Sequence, residues 1–322
     1  MWLHVGVQRF PRLTFALIAL SFGSAAACDS QSADLQANVR MAMRPRASES
    51  PRAPAAPPRE ERIEDMLAAV ATGHEGDGLP TRIEGALRRD DAAVPAALAF
   101  VRGDRSTKVI VDALAVAGTP AAQDALCALA RDTRLPAHVR AETVASLGLV
   151  RHPNAPTMNV VGDLIRTRDQ DLLAPALFLA GTVARAGRAE HPVQAAALEK
   201  VVLAESARAR TTDEVLEALA ALGNLASNAV LPRLRSALTA EDPRVRAAAT
   251  RALRLVPDAE ADHLIALTLR RDRDSTVRAA ALFAAGFRRL DPLSEALTET
   301  AQNDPVDYVR SGAVALLSRN RQ

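Results

Sequence analysis

One helical motif recurs along most of the chain. An apolar helix is followed by a short polar turn and a second helix that opens with a Val-Arg pair and continues in alanines and leucines. The clearest copies begin at Val245, Val277 and Val309, and weaker copies begin at Val109, Val139, Leu173 and Val215. Successive starts are 30, 34, 42, 30, 32 and 32 residues apart. Because one such hairpin cannot bury its apolar face alone, the repeats must stack. The sequence predicts an all-α, right-handed α-solenoid of about seven hairpins.

Alanine provides the close packing that this stack needs. The chain has 68 alanines, whereas aromatic residues make up only 3%. Small side chains let neighbouring helices approach closely, and leucines fill the remaining space. We expect Cys127 to be a buried core thiol, because it lies in an apolar helical run. Four phenylalanines lie at helical spacings typical of core residues, and we expect them to pack there: Phe100, Phe178, Phe283 and Phe287.

Polar residues recur where the second helices begin. Asp242, Asp274 and Asp304 are placed to accept hydrogen bonds from the free amides of a first helical turn. Pro243 and Pro305 suit the same turn, where the amide that proline lacks would be unpaired.

The repeats of residues 90–320 resemble the HEAT repeat family. In that family the arginine of the Val-Arg pair meets an aspartate of its own or the next repeat, which forms an internal ladder. The residues that the resemblance implies for this structural ladder are Asp242, Arg246, Asp274, Arg278, Arg310 and Arg140. Proline stands at the aspartate's place before Arg140, so we expect the ladder to be interrupted there.

A second resemblance is carried by segments 216–224, 245–254 and 277–282. These segments resemble the helical domain of the large lipid transfer proteins, the vitellogenin and microsomal triglyceride transfer group. In that family the helical domain braces β-sheets that enclose lipid. No segment of this chain has the alternation typical of strands. The resemblance therefore implies a helical brace for a separate, β-rich lipid-binding protein.

The N-terminal residues have the pattern of an export signal. Arg9 and Arg12 precede an apolar stretch over 13–22, and small alanines over 25–27 offer a cleavage site. About ten apolar residues are too few to span a bilayer. The sequence predicts a signal peptide over residues 1–27.

Cys28 follows this signal directly. The arrangement resembles the lipobox of bacterial lipoproteins, although Ala25 stands where that family usually has leucine. The resemblance implies lipidation of Cys28 and a cell-envelope lipoprotein on the periplasmic side of the inner or outer membrane. The alternative is an ordinary signal peptide and a soluble secreted or periplasmic protein.

The composition changes again between the signal and the repeats. Residues 28–60 are rich in Ser, Gln, Pro, Ala and Arg, which predicts a disordered tether. We expect N-terminal capping helices over 61–90 and the solenoid over 91–322.

No catalytic or metal-binding motif accompanies the repeats. The sequence lacks Gly-x-Ser-x-Gly, a phosphate-binding glycine loop, His-Glu-x-x-His and Cys-x-x-Cys. HEAT-type iron hydroxylases bind metal through several His-Glu pairs, and this chain has one, His74–Glu75. HEAT-like repeats also occur in phycobilin lyases. We predict no catalytic residue, cofactor or metal, with a HEAT-type lyase or hydroxylase as the least favoured alternative. A net charge of +2 gives no case for nucleic acid.

A stacked array offers a long, rigid surface, and such a surface loses little conformational entropy when a partner binds. The sequence predicts a non-catalytic, membrane-anchored scaffold whose concave surface, lined by the second helices, binds a protein partner in the cell envelope. The alternative is a helical brace of a lipid-binding or lipid-transfer assembly. Candidate contact residues flank the Val-Arg pairs: Arg244, Thr250, Arg251, Asp307 and Tyr308.

Overall fold

The computed structural model describes residues 61–73, 78–103 and 108–319. They belong to one compact unit and contain sixteen α-helices and no strand. The helices are α1 (Ile63–Ala71), α2 (Leu79–Arg89), α3 (Val94–Arg102), α4 (Lys108–Ala117), α5 (Pro120–Arg131), α6 (Ala137–Ser146), α7 (Ala155–Thr167), α8 (Leu173–Gly187), α9 (Pro192–Ser206), α10 (Thr212–Leu225), α11 (Leu231–Leu238), α12 (Pro243–Ala252), α13 (Ala259–Arg271), α14 (Ser275–Ala285), α15 (Ser294–Asn303) and α16 (Asp307–Arg319). The all-α prediction is confirmed.

The helices pack in consecutive pairs. The second helix of each pair contacts the second helix of the next, so that α2, α4, α6, α8, α10, α12, α14 and α16 form one continuous row. We call this the second-helix row, and the odd-numbered helices the first-helix row. The pair α1 and α2 precedes seven further pairs. A solenoid of about seven hairpins is therefore confirmed, while its right-handed sense stays a prediction.

Polar side chains cap the helix starts. The carboxylates of Asp242 and Asp274 accept the backbone N–H of Arg244 and Thr276, each at 2.8 Å. Asp304 lies further from its helix than the sequence suggested, because α16 begins only at Asp307. Its carboxylate accepts the N–H of Val306 within the loop at 2.9 Å, so the prediction of a helix cap at Asp304 is wrong.

Leucine, isoleucine, valine and alanine fill a core that runs along the whole stack. Leu114, Leu126 and Ile165 are among the fully or almost fully buried side chains, and each contributes about 1.5–3 kcal/mol by leaving water. Cys127 is buried as predicted, with its Sγ 3.6 Å from the Thr157 hydroxyl. Burial raises the pKa of this thiol, which keeps it protonated and unreactive.

Glycine brings three second helices into direct contact. A Cβ added to Gly181 of α8 would lie 2.6 Å from the carbonyl oxygen of Ala221 in α10. A Cβ added to Gly223 of α10 would lie 2.8 Å from the Cα of Ala252 in α12. Helices α8, α10 and α12 therefore pack backbone against backbone.

We expect Gly181→Ala to lower the free energy of unfolding by about 1–3 kcal/mol, because the added methyl must push α10 away. Gly162→Ala in α7 is the matched control, since its new Cβ would meet only the flexible end of Arg166, at 3.5 Å. The free energy of unfolding of Gly162→Ala should rise by about 0.5–1 kcal/mol, because alanine has a better helix propensity than glycine. Urea unfolding followed by circular dichroism measures both, and equal stability of the two variants would contradict the backbone contact.

Candidate interaction surface

Three phenylalanines lie on the solvent side of the second-helix row. Phe178 in α8 is 59% exposed, Phe283 in α14 is 48% exposed, and Phe287 just beyond α14 is 57% exposed. The prediction that these rings pack in the core is wrong; only Phe100 packs partly buried against it. The rings do recur at a helical spacing, but they lie on the solvent side of the row and not on its core side.

Helix α14 explains the error. Its core side carries Val277, Ala281 and Ala284, which are fully buried. Thr276 and Phe283 lie on the opposite side of the helix and are exposed. Alanines pack this row too closely to leave room for a ring, so the phenylalanines face outward.

The exposed rings are organised within the repeats. Phe283 and Phe287 contact each other, with ring centroids 5.0 Å apart and an angle of 55° between the planes. Tyr308 of α16 is also exposed, and its hydroxyl is 2.7 Å from the Ser275 hydroxyl of α14. Exposed rings on a chain so poor in aromatic residues form a marked feature of the surface.

The predicted contact residues differ in their accessibility. Arg244, Arg251, Asp307 and Tyr308 are exposed, and their role as partner contacts stays a prediction. Thr250 is fully buried, and its hydroxyl donates to the Arg246 carbonyl at 2.7 Å. Thr250 therefore cannot contact a partner, because its hydroxyl is buried and already hydrogen-bonded to the preceding helical turn.

The arginine ladder connects successive repeats. Arg246 donates through Nε and Nη2 to both oxygens of Asp272, at 2.8 and 3.0 Å. Arg278 donates in the same way to Asp304, at 2.6 and 2.9 Å. Each arginine is the fourth residue of its helix and reaches the loop of the following repeat. The ladder therefore runs through Arg246–Asp272 and Arg278–Asp304.

The aspartates that the sequence assigned to the ladder have another role. The carboxylates of Asp242 and Asp274 turn back to the first amides of their own helices. The guanidinium groups of Arg246 and Arg278 bind Asp272 and Asp304 instead. The implied pairs Asp242–Arg246 and Asp274–Arg278 are therefore wrong.

The ladder is also present at Arg140, where an interruption was predicted. The Nη1 of Arg140 donates to Asp169 of the next repeat at 3.1 Å. Proline at the N-cap does not interrupt it, since the N-cap side chain is not the acceptor. The ladder is missing instead where the fourth helical residue is Val111 in α4, Ala176 in α8 or Val215 in α10.

Arg310 occupies the fourth position of the last helix described. Its Nη1 donates to the Asp304 carbonyl at 2.5 Å, and its Nη2 contacts the Asp307 carboxylate. Arg310 thus contacts the loop of its own repeat. Arg278 makes the equivalent contact one repeat earlier, where its Nη1 donates to the Asp272 carbonyl at 2.9 Å.

Burial and ion pairing act in opposite directions on the ladder aspartates. Burial is the largest single influence and favours the neutral acids, but the hydrogen bonds and charges of Arg246 and Arg278, together with the backbone N–H groups of Asp274 and Val306, outweigh it and lower the pKa of Asp272 and Asp304. A carboxyl with a lowered folded-state pKa stabilises the fold above its unfolded pKa of about 3.9. This stabilisation is lost as the pH falls through the folded-state pKa.

Helix α10 carries acidic residues at its start and one polar, uncharged side chain, Asn224, near its end. Asp213 and Glu214 lie in the first turn, and the Glu214 carboxylate accepts the N–H of Thr211 in a capping box. Burial, together with the charges of Asp213 and Glu214, raises the pKa of Glu217. The second-helix row therefore carries negative charge at the N-terminal end of this helix.

The structure adds two observations on metals and membranes. Within 61–73, 78–103 and 108–319, no group of three or more His, Cys, Asp or Glu side chains could hold a metal ion. No helix in the same residues is both long enough and apolar enough to cross a bilayer. The His74–Glu75 pair and Cys28 lie outside the described residues.

Comparison with known families is consistent with this geometry. The family described as Vitellogenin TPR domain matches residues 88–314, from the end of α2 into α16. The chain belongs to this family. The predicted resemblance to the helical domain of the vitellogenin group is confirmed. A comparison with curated proteins gives no match.

One solved structure shares the fold of this family member, and others resemble it more distantly. This chain is similar to lipovitellin, in a structure described as showing lipid–protein interactions. The two are 15% identical over 79% of this chain, with a TM-score of 0.54. The match spans only 30% of the lipovitellin chain. The phycocyanin lyase complex of CpcE and CpcF from Nostoc sp. PCC7120 is 19% identical, covers 86% and 94% of the two chains and has a TM-score of 0.41. The Pds5–Scc1 complex is 11% identical, covers 80% and 56%, and has a TM-score of 0.38.

We expect Arg278→Met to lower the free energy of unfolding by about 3 kcal/mol at pH 7, because it leaves the Asp304 carboxylate buried without its partner. Arg166→Met is the matched control, since that guanidinium pairs with the exposed Asp163 and lies away from Asp304. It should cost about 1 kcal/mol or less. Urea unfolding of both variants measures the difference.

Acid should reduce the effect of Arg278→Met. Without Arg278, burial raises the pKa of the Asp304 carboxyl, so in the variant it takes up a proton as the pH falls, which removes the penalty of the buried charge. Repeating the unfolding at pH 3.5 should therefore bring wild type and variant closer together. A difference that is unchanged between pH 7 and pH 3.5 would show that the carboxylate is not responsible.

Proposed function

We propose that this vitellogenin TPR domain protein is a non-catalytic scaffold that binds a protein partner along the second-helix row. The observation that carries the proposal is the exposure of Phe178, Phe283 and Phe287 on one row of helices. Aromatic and arginine side chains supply most of the energy in protein interfaces. Arg251 lies on the same row, one 32-residue repeat before Phe283.

The rigidity of the row favours binding. Contacts of Gly181 with α10 and of Gly223 with α12 fix the spacing of three helices. The Tyr308–Ser275 hydrogen bond links α16 to α14. Side chains held on such a frame lose little freedom when a partner binds, so more of the contact energy appears as affinity.

The location is part of the proposal. The export signal over 1–27 and the lipobox-like Cys28 favour a lipoprotein on the periplasmic side of a membrane of the cell envelope. Residues 28–60 would then connect the lipid to the helical repeats. A soluble secreted or periplasmic protein is the alternative location.

A second candidate function is a helical brace in a lipid-binding or lipid-transfer assembly. The family match over 88–314 favours it, and so does the shared fold with lipovitellin. In this case the row would pack against a separate β-rich protein that holds lipid. A lyase or hydroxylase is favoured by no arrangement of side chains described above.

Affinity purification from native membranes, with proteins and lipids read by mass spectrometry in one sample, tests the scaffold. Wild type should retain one stoichiometric protein partner. Phe283→Ala combined with Phe287→Ala should lower that retention about tenfold or more, because aromatic hot spots each contribute about 2 kcal/mol. Val193→Ala is the matched control, since Val193 is 74% exposed on α9 of the first-helix row.

Each result has one interpretation. Partner loss in the double variant alone supports binding to the second-helix row. Equal loss in Val193→Ala would contradict it. Stoichiometric lipid with a β-rich companion in the wild-type sample would support the brace.

Cys28→Ser tests the anchor separately. We expect this variant to move from the membrane fraction to the soluble fraction, because its serine cannot carry the thioether-linked lipid. Cys127→Ala is the control, since that thiol is buried in the repeats, and it should stay in the membrane fraction. Immunoblots of both fractions measure this, and retention of Cys28→Ser in the membrane would overturn the anchor.

A further inference from the structure

A guanidinium group lies at the base of the exposed ring pair Phe283 and Phe287. Arg319, at the end of α16, donates from Nη2 to the carbonyl oxygen of Gly286 at 2.8 Å. Gly286 follows α14 directly, and its carbonyl carbon is bonded to the backbone nitrogen of Phe287. The ring centroids of Phe283 and Phe287 are 5.0 Å apart. One hydrogen bond and one ring contact therefore bring a cation and two aromatic rings to the carboxyl end of α14.

Close packing between α14 and α16 fixes the position of Arg319. A Cβ added to Gly312 of α16 would lie 2.8 Å from Cδ1 of Leu282 in α14. A Cβ added to Gly286 would meet Cδ2 of Leu316 in α16 at 3.8 Å. Leu316 lies three residues before Arg319, which is about one helical turn. The helix that carries the guanidinium therefore packs directly against the helix that carries Phe283.

The charge of Arg319 is available to a ligand. Arg319 is exposed and forms no ion pair with a carboxylate among residues 61–73, 78–103 and 108–319, where its acceptor is the Gly286 carbonyl. Its Nε and Nη1 have no acceptor in the same residues. The other arginines of α14 and α16, Arg278 and Arg310, each pair with an aspartate. A neutral carbonyl thus orients the Arg319 guanidinium and leaves donors of its planar fork for an acidic group.

Charges of both signs surround the ring pair. Arg289 and Asp291 form an exposed ion pair, with 3.5 Å between Nη2 and Oδ2, two and four residues after Phe287. Four residues of chain span at most about 14 Å, so these charges lie within about two Debye lengths of the ring. A uniformly anionic membrane would match only the cations, whereas a polypeptide can match both signs. The pattern therefore favours a polypeptide as the occupant.

We propose that Phe283, Phe287 and Arg319 together bind one short segment of a partner protein. An apolar side chain of that segment packs on the two rings, and a neighbouring acidic side chain binds the guanidinium. The proposal rests on the proposed function and names the partner's chemistry. Aromatic rings supply contact area at protein interfaces, and arginine binds carboxylates through paired, charge-assisted hydrogen bonds. We call these three side chains the ring–arginine site.

A fluorescein-labelled peptide, Asp-Asp-Leu-Phe-Asp-Asp, is the probe, and its fluorescence anisotropy with the full chain at low salt is the measurement. Arg319→Gln should weaken binding about fivefold or more, because it removes the charged hydrogen-bond donor. Phe283→Ala combined with Phe287→Ala should weaken binding about tenfold or more, because it removes the apolar contact. All three side chains are exposed, so the circular dichroism of both variants should match that of wild type.

Two variants are matched controls, and each should change binding less than about twofold. Arg271→Gln removes an exposed arginine that ends α13 of the first-helix row. Phe178→Ala removes an exposed ring on α8. Helix α8 lies three helices from α14 along the row, about 24–30 Å away, whereas a six-residue probe spans about 20 Å. Equal weakening by either control would overturn the proposal in favour of diffuse attraction to exposed arginines or rings.

A second peptide tests the carboxylate contact directly. In Asn-Asn-Leu-Phe-Asn-Asn, neutral amides of similar size replace the carboxylates. Arg319→Gln should change the binding of this peptide less than about twofold, because the ion pair is already absent. An equal loss for both peptides would show that Arg319 acts through the packing of the rings, and it would overturn the carboxylate contact.

Phosphatidylglycerol vesicles and the protein alone test the other occupants. Vesicle binding that depends on Arg319, without binding of the acidic peptide, would overturn the proposal in favour of lipid. Self-association that is measured by sedimentation and lost in the double phenylalanine variant would overturn it in favour of a second copy of the chain.

The co-purified partner separates this inference from the proposed function. Arg319→Gln should lower retention of that partner, as it lowers binding of the acidic peptide. A partner lost from the double phenylalanine variant but retained equally by wild type and Arg319→Gln would overturn the carboxylate contact alone. No partner in the wild-type sample would overturn the scaffold.

Discussion

The close contact between second helices is the constraint on which the rest of the structure depends. Alanine and glycine let α8, α10 and α12 meet backbone to backbone. A row packed this closely has no space for rings, so it turns Phe178, Phe283 and Phe287 toward solvent. The small-residue composition that builds the stack therefore also creates its aromatic surface.

The ladder and the glycine contacts hold different parts of the row. Asp272 and Asp304 bind arginines of the preceding repeat where the ladder is present. Where α8 and α10 lack the ladder arginine, Gly181 and Gly223 bring the helices together instead. The guanidinium of Arg254, which follows α12, lies against Gly223 of α10.

The sequence predicts the architecture well because a recurring helical period identifies stacked hairpins. It identifies the ladder arginines for the same reason. The period does not determine which side of a helix is buried, and that is why the sequence predicts a core position for Phe283, whose ring is exposed. It also cannot determine contacts between loops and neighbouring repeats. The acceptors Asp272 and Asp304 and the Asn224–Arg254 hydrogen bond therefore follow only from the three-dimensional structure.

The charge pattern of the row bears on both candidate functions. Helix α10 begins with acidic Asp213 and Glu214 and ends beside basic Arg254. Lipid chains have no charges to match such a pattern, and an anionic headgroup layer would match only one side of it. A polypeptide can match both signs over this distance. Whether the protein is a scaffold or a brace for a lipid carrier, the molecule in direct contact with the second-helix row is therefore expected to be another protein, and any lipid would be held by that partner.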